Sequence, residues 1–291
     1  MYPSPLILLF LIITSNAGGE GKTMICKLIL AILRLAGVTN IRTFDADPGN
    51  WTLANSVPLT KAVGWYVDEK AAPIIAADCI GAHTIIDPGA NAFAGSEQFA
   101  RLVRALGSEF RNAGYRTIAF GPVSTNKDGA LDSMVELTDH YAEFDRIYVK
   151  VNRDGSGNYM GDVAKLEHTA TIEISHFDPG FLAVLADHKE AWDEAVTHPL
   201  KGFQLAGAYI GEIFADVADQ LAALSVVPAD AGAKIRQHFA PQPRLTWRLT
   251  HKVSCSDDLL LELQRRSKIA AYLEANHYTQ ASLFEAGKRF F

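Results

Sequence analysis

A doubly wound α/β fold with a mainly parallel sheet is what this 291-residue sequence predicts, and three observations carry the prediction. Short apolar runs recur along the chain with helix-like periodic segments between them, the alternation that builds βαβ units. The first apolar run leads at once into a glycine-rich turn and a helical pattern, through Gly18-Gly19-Glu20-Gly21-Lys22-Thr23. Two later runs end on aspartate, which places acidic groups at the carboxyl edge of the sheet, where open α/β folds bind ligands.

Taken in order, "LILLFLIIT" (Leu6–Thr14) reads as a strand buried on both faces, because it is continuously apolar rather than alternating. The same run could pass for the apolar core of a secretory signal. No Lys or Arg precedes it, however, and it falls far short of the ~20 residues that span a bilayer. The expectation is a buried strand, no membrane span and a cytoplasmic location. A helix follows over Lys22–Leu35. Further strands are expected at Ile41–Asp45, Thr84–Asp87, Thr117–Val123, Arg146–Asn152 and Ala170–His176. Periodic segments between them predict helices at Gln98–Asn112, Leu131–Ala142 and Pro179–Ala195. The long amphipathic stretch Phe203–Leu224 is expected to pack across the sheet and close the domain.

The composition then changes. "VVPADAG" and "APQPR" carry turn chemistry. Beyond them "SDDLLLELQRRSKIAAYLEANHY" opens on the capping residues Ser256, Asp257 and Asp258 and continues as a helix, with a shorter helix from Gln280 to Arg289. The expected organisation is a main domain over residues 1–225 and a small helical, basic extension over 226–291.

Composition narrows the function classes. With 48% hydrophobic and 21% charged residues the chain has the makings of a large core. A net charge of −6 excludes a generally basic nucleic-acid binder, but the charge is uneven: from Ala231 onward lie ten of the 27 Lys/Arg and five of the 33 Asp/Glu. Cys26, Cys79 and Cys255 are far apart, which argues against a disulfide framework or a structural zinc site and fits a reducing compartment. The nine histidines show no HxxxH or HExxH spacing, and there is no GxSxG elbow.

The glycine-rich turn has the context a phosphate loop requires, a strand before it and a helix after it. Glycines let backbone N–H groups approach phosphates closely, and the helix N-terminus adds partial positive charge. Lys22 is placed to reach the β- and γ-phosphates, and the Thr23 hydroxyl to bind Mg²⁺. The nucleotide-binding set is then Gly18, Gly19, Glu20, Gly21, Lys22, Thr23 and Met24. "IRTFDADPGN" sets Asp45 and Asp47 at the end of the second strand, and "HTIIDPGAN" ends the third on Asp87. Read alone, each aspartate is equally an ordinary helix cap or turn residue. In this order after a phosphate loop, they point to a Mg²⁺ site beside mobile loops.

GGEGKT, DADPG and IIDPG, in this order and at about this spacing, resemble the ParA/MinD partition ATPases over roughly residues 5 to 225. The resemblance implies a P-loop nucleotide-hydrolase fold and ATP with Mg²⁺ as ligands. Lys22 would be the phosphate-loop lysine, and Asp47 would position the attacking water. Thr23, Asp45 and Asp87 would lie at or near the metal. Asn152, ending "IYVKVN", matches the strand-end asparagine that often recognises adenine, although asparagine is also a common turn former. The family works as ATP-dependent homodimers in DNA partitioning, conjugative transfer or cargo positioning.

The departure is Ala17, with Asn16 before it. The family places a lysine at that position to reach the partner's phosphates, so hydrolysis here is expected to be slow or to use another cation, such as Arg153 or one from a partner protein. A nucleotide-binding scaffold with little turnover is the alternative from a different class. "SNAGGEGKT" and "TFDADPGN" also resemble the loops of bacterial tyrosine kinases, which usually carry a tyrosine-rich tail. "HYTQASLFEAGKRFF" contains one tyrosine, Tyr278.

Two features keep open readings. Arg265, Arg266 and Lys268 share a segment with Leu259, Leu260, Leu261 and Leu263, either as the solvated face of an amphipathic helix or as a surface for DNA or a DNA-bound partner. "STNKDGALDS" (Ser124–Ser133) follows a strand and either lines the site or caps a helix.

Overall fold

Strand β1 (Leu9–Ile13) is the middle of a seven-stranded sheet and has no exposed side chain. The structure, a computed structural model, describes residues 7–15, 18–47, 49–89, 92, 95–125, 127, 131, 141, 143–160, 166, 169–177, 192–198 and 204–239. The remaining strands are β2 (Ile41–Ala46), β3 (Lys61–Ala62), β4 (His83–Pro88), β5 (Arg116–Ser124), β6 (Asp145–Val151) and β7 (Thr171–Ile174). Their spatial order is β3-β2-β4-β1-β5-β6-β7, and every pairing is parallel. This is a wholly parallel sheet, and helices flank both of its faces.

The continuous apolar run of β1 follows from its position. Leu9, Leu11 and Ile13 enter one core, Phe10 and Ile12 the other, as the two-residue period of a strand requires when helices cover both faces. Helix α1 (Lys22–Leu35) lies in the first core through Ile25, Leu28, Ile29 and Ile32. The opposite face is covered by α4 (Glu97–Asn112), whose buried Phe99, Leu102, Val103, Leu106 and Phe110 keep helical spacing. Ser96 caps α4 by accepting from the Phe99 amide at 3.2 Å.

Between β2 and β4 the chain forms pieces too short for periodicity to reveal. They are α2 (Thr52–Ser56), the edge strand β3, a 3-10 turn (Glu69–Ala71) and α3 (Ala72–Cys79), which carries Pro73 at its start.

Two further helices complete the first core, α5 (Trp192–Thr197) and α6 (Gln204–Ala223). Within α6, Ile210, Ile213, Phe214, Val217 and Leu221 are buried. Gln220 also pairs with the backbone of the edge strand: the Glu173 amide donates to its Oε1 at 2.7 Å, and its Nε2 donates to the Glu173 carbonyl at 3.0 Å. An open strand edge is thereby covered.

Residues 1–199 and 206–239 make one compact unit, which includes α7 (Ala231–Phe239) with Ala231 and Ile235 buried against the first core. A second unit, residues 200–205 and 240–291, lies outside the described residues apart from Gln204 and Leu205. Most of the expected helices Leu131–Ala142 and Pro179–Ala195, and the basic segment with Arg265, Arg266 and Lys268, also lie outside them. Among the described residues no helix is long and apolar enough to cross a membrane.

Candidate phosphate-loop site

The turn between β1 and α1 is built from left-handed backbone. Gly19 has φ 74° and Gly21 φ 90°, values a Cβ would strain. Gly21 is the N-cap of α1 and offers no side-chain cap, so the first amides of the helix point outward unbonded by it. Three consecutive loop carbonyls are held by side chains. Ser124 Oγ donates to the Glu20 carbonyl at 3.1 Å, an Arg153 guanidinium nitrogen donates to that of Gly19 at 2.7 Å, and Lys127 Nζ donates to that of Gly18. Because N–H and C=O lie on opposite edges of a planar peptide, this turns the Gly19, Glu20 and Gly21 amides the other way, as a cradle for an anion needs.

Lys22 is 8% exposed, and burial holds its ammonium pKa below the usual lysine value, with Asp87, Glu20 and Asp47 pulling the other way. Met24 packs partly buried against the first core, its Cε 3.6 Å from where a Cβ on Gly21 would stand. Asn16 and Ala17 lie outside the described residues.

The acidic residues meet beside the loop. In the β2–β4 register Asp45 stands opposite Asp87. Asp45 is fully buried and spends its carboxylate on the backbone, accepting from the Asp47 amide at 3.0 Å and the Ala54 amide at 2.9 Å. It therefore ties the loop after β2 to α2. Asp47 accepts from the Gly49 amide at 3.0 Å. Its carboxylate also leans on Gly89, where an added Cβ would come within 2.8 Å of Oδ1 and 3.0 Å of Cγ. The DADPG and DPG loops touch at that glycine.

Asp87 is 3% exposed and accepts from Thr23 Oγ1 at 2.6 Å. Burial raises its pKa to about 7; Asp45 and Asp47 push the same way, while the Thr23 hydrogen bond and Lys22 oppose.

These groups fit Mg²⁺. They are hard oxygens at a helix N-terminus, and Mg²⁺ is usually held by one or two side chains together with phosphates and water. Among the described residues no three His, Cys, Asp or Glu side chains are placed to hold a metal by themselves. Thr23 and Asp87 would supply the protein oxygens, and the ion would neutralise phosphate charge.

The other expected residues lie further along the same edge. Asn152 follows β6, and its side-chain carbonyl accepts from the Gly157 amide at 3.0 Å, pinning the 152–157 turn. Its neighbour Arg153 reaches the loop, donating to the Gly19 carbonyl. Glu20 is 2% exposed and 3.1 Å from Lys127 Nζ. Ser124, Lys127 and Gly89 are the contributors that motif reading leaves unassigned. The signal available for the first two is their place at the end of a strand or just past it, at the carboxyl edge, within "STNKDGALDS".

No family model matches the sequence, and no curated protein does. Among solved structures, the chain is similar to the septum site-determining protein MinD of Pyrococcus horikoshii complexed with Mg-ADP. That similarity covers 75% of this chain and 98% of that one, at 16% identity and a TM-score of 0.45. Apo McdA of Cyanothece is similar over 74% of this chain and 99% of its own, at 13% identity and a TM-score of 0.43. A substituted Cyanothece McdA in complex with ATP is similar over 82% and 98%, at 11% identity and a TM-score of 0.35.

Proposed function

We propose that the chain is a Mg²⁺-dependent, ATP-binding switch that hydrolyses its nucleotide slowly or with a partner's help. The observation that carries this reading is the contact of Thr23 at the start of α1 with the buried Asp87 at 2.6 Å, directly behind the glycine-rich loop and beside Lys22. Lys22 binds the β- and γ-phosphates, Thr23 and Asp87 serve the metal, and Asp47 orients the attacking water. Asp45 and Gly89 hold Asp47 in place. Bound nucleotide orders the loops after Asp47 and Asp87, and hydrolysis releases them. Preference for adenine rests on the resemblance at Asn152. Dimerisation and a role in DNA partitioning, conjugative transfer or positioning of another cargo rest on the resemblance of GGEGKT, DADPG and IIDPG.

Calorimetric binding of ATP and GTP with Mg²⁺, together with steady-state hydrolysis, tests the reading. Lys22→Ala is expected to weaken binding on the order of 10- to 100-fold, the worth of a charge-assisted contact. Asp47→Ala is expected to keep binding and lose turnover. Failure of the wild type to bind either nucleotide overturns the reading. Turnover indifferent to Asp47 leaves the second reading, a nucleotide-held scaffold, which Ala17 favours.

For the basic C-terminal segment, reversing Arg265, Arg266 and Lys268 to Glu in the full chain should lower DNA retention and its salt dependence. Unchanged retention assigns those residues to a solvated helix face.

A further inference from the structure

Glu20 poses a problem the phosphate-loop reading does not solve. Its carboxylate is 2% exposed, and neither oxygen has a hydrogen-bond partner among the described residues. A carboxylate buried in this way is unfavourable unless a cation compensates it. It also lies within the loop where a polyphosphate would place several more negative charges. Lys127 stands beside it, with Nζ 3.1 Å from Glu20 Oε1, close enough for ion pairing but poorly aligned for a hydrogen bond.

The same ammonium donates to the Gly18 carbonyl, so it sits on the rim of the loop, with its side chain 30% exposed. Lys127 thus compensates a buried charge on one side and keeps part of its side chain open to solvent on the other. An ammonium carries three donors on a flexible stem and moves between acceptors with no change in the backbone.

We propose that Lys127 is a second polyphosphate-binding cation of this loop, tethered at its rim by the buried carboxylate of Glu20. The ligand class is a nucleoside di- or triphosphate, and the proposal rests on the phosphate-loop reading above. When nucleotide binds, Lys127 exchanges the Gly18 carbonyl for a phosphate oxygen while Glu20 keeps the ammonium from swinging into solvent. Glu20 is a positioning residue.

The test is MgATP and MgADP affinity, with thermal stability in parallel, for the full chain and for Lys127→Met, Lys127→Arg, Glu20→Gln and the Glu20→Gln/Lys127→Met pair. Lys127→Met is expected to weaken MgATP binding by about 10-fold, and Lys127→Arg to recover all but about threefold of it. Lys127→Met strands the Glu20 charge and risks misfolding. The double variant avoids that, and it should bind at least about threefold more weakly than Glu20→Gln alone.

A brace of the empty loop would instead lower the melting temperature and leave both affinities unchanged; that result overturns the proposal. Lys22→Ala separates the two readings. Binding lost in Lys22→Ala but intact in Lys127→Met and in the double variant leaves the phosphate loop standing and removes Lys127 from it. A wild type that binds no nucleotide removes both.

Discussion

Asp87 shows at the scale of one residue how a site is held ready at the expense of stability. Its proton is bound more tightly in the folded chain, with a pKa of about 7 against an ordinary 3.8, because burial penalises the carboxylate. The stability this proton confers is complete below about pH 4 and is lost as pH rises towards 7. Asp87→Asn should therefore raise the melting temperature of the nucleotide-free protein at pH 8. The gain, on the order of 2 kcal/mol or more and about 2–4 °C for each, should shrink steadily towards pH 4. A pH-independent gain would mean that burial does not govern this carboxyl. Gly89 makes the second residue-scale prediction. Its Cβ position lies 2.8 Å from Asp47 Oδ1, so Gly89→Ala must push the carboxylate aside. Turnover should fall at least about tenfold with binding largely kept, since the loss is one of positioning and not of phosphate contacts. Parallel hydrolysis and binding assays check it.

At the scale of elements, packing overrides local preference, and α4 offers a clean sign test. Glycine inside a helix ordinarily disfavours it by about 1 kcal/mol relative to alanine, so Gly107→Ala would stabilise an isolated α4. In the fold, a Cβ on Gly107 would stand 2.6 Å from Phe144 Cε2 and 2.9 Å from Cζ. Phe144 is itself wedged against Phe10 at 5.7 Å between ring centroids, and Phe10 stacks on Phe110 of α4 at 4.1 Å. Gly107→Ala should thus destabilise by about 1–3 kcal/mol through overpacking, read from denaturant midpoints. The α6–α7 junction is held differently. Arg236 reaches Asp219 at 2.7 Å and Asp216 at 2.8 Å, yet it is well exposed, so Arg236→Ala should lose about 1 kcal/mol or less.

At the scale of the whole molecule, the glycine-rich loop after β1 is braced from both halves of the sheet. Thr23 and Lys22 face the β2–β4 side, while Ser124, Lys127 and Arg153 hold loop carbonyls from the β5–β6 side. A ligand filling the loop links the two. Saturation with MgATP at about 100 times its dissociation constant should stabilise the chain by about 2.7 kcal/mol, and Lys22→Ala should remove most of the shift. Thermal melts with and without nucleotide check this, and an unshifted wild type would contradict nucleotide binding.

Much of this was legible in the residues themselves. Six of the seven strands and α1, α4 and α6 stand where apolar runs and helical periods put them, because a strand covered on both faces must be apolar throughout and a surface helix must carry a stripe. Short pieces escaped: β3, α2 and α3 owe their shape to neighbours and carry no period of their own. Gly18 to Thr23, Asp45, Asp47 and Asp87 stand out in the sequence by their place after apolar runs, and the structure gathers them at one edge of the sheet. What each does in space could not be read there. The support of Asp47 by Gly89 and the meeting of Lys127 with Glu20 join residues 42 and 107 positions apart. Only the parallel register of β2 with β4 and the approach of β5 to the loop bring them together, because contacts across a sheet depend on which strands lie side by side, and no local pattern encodes that.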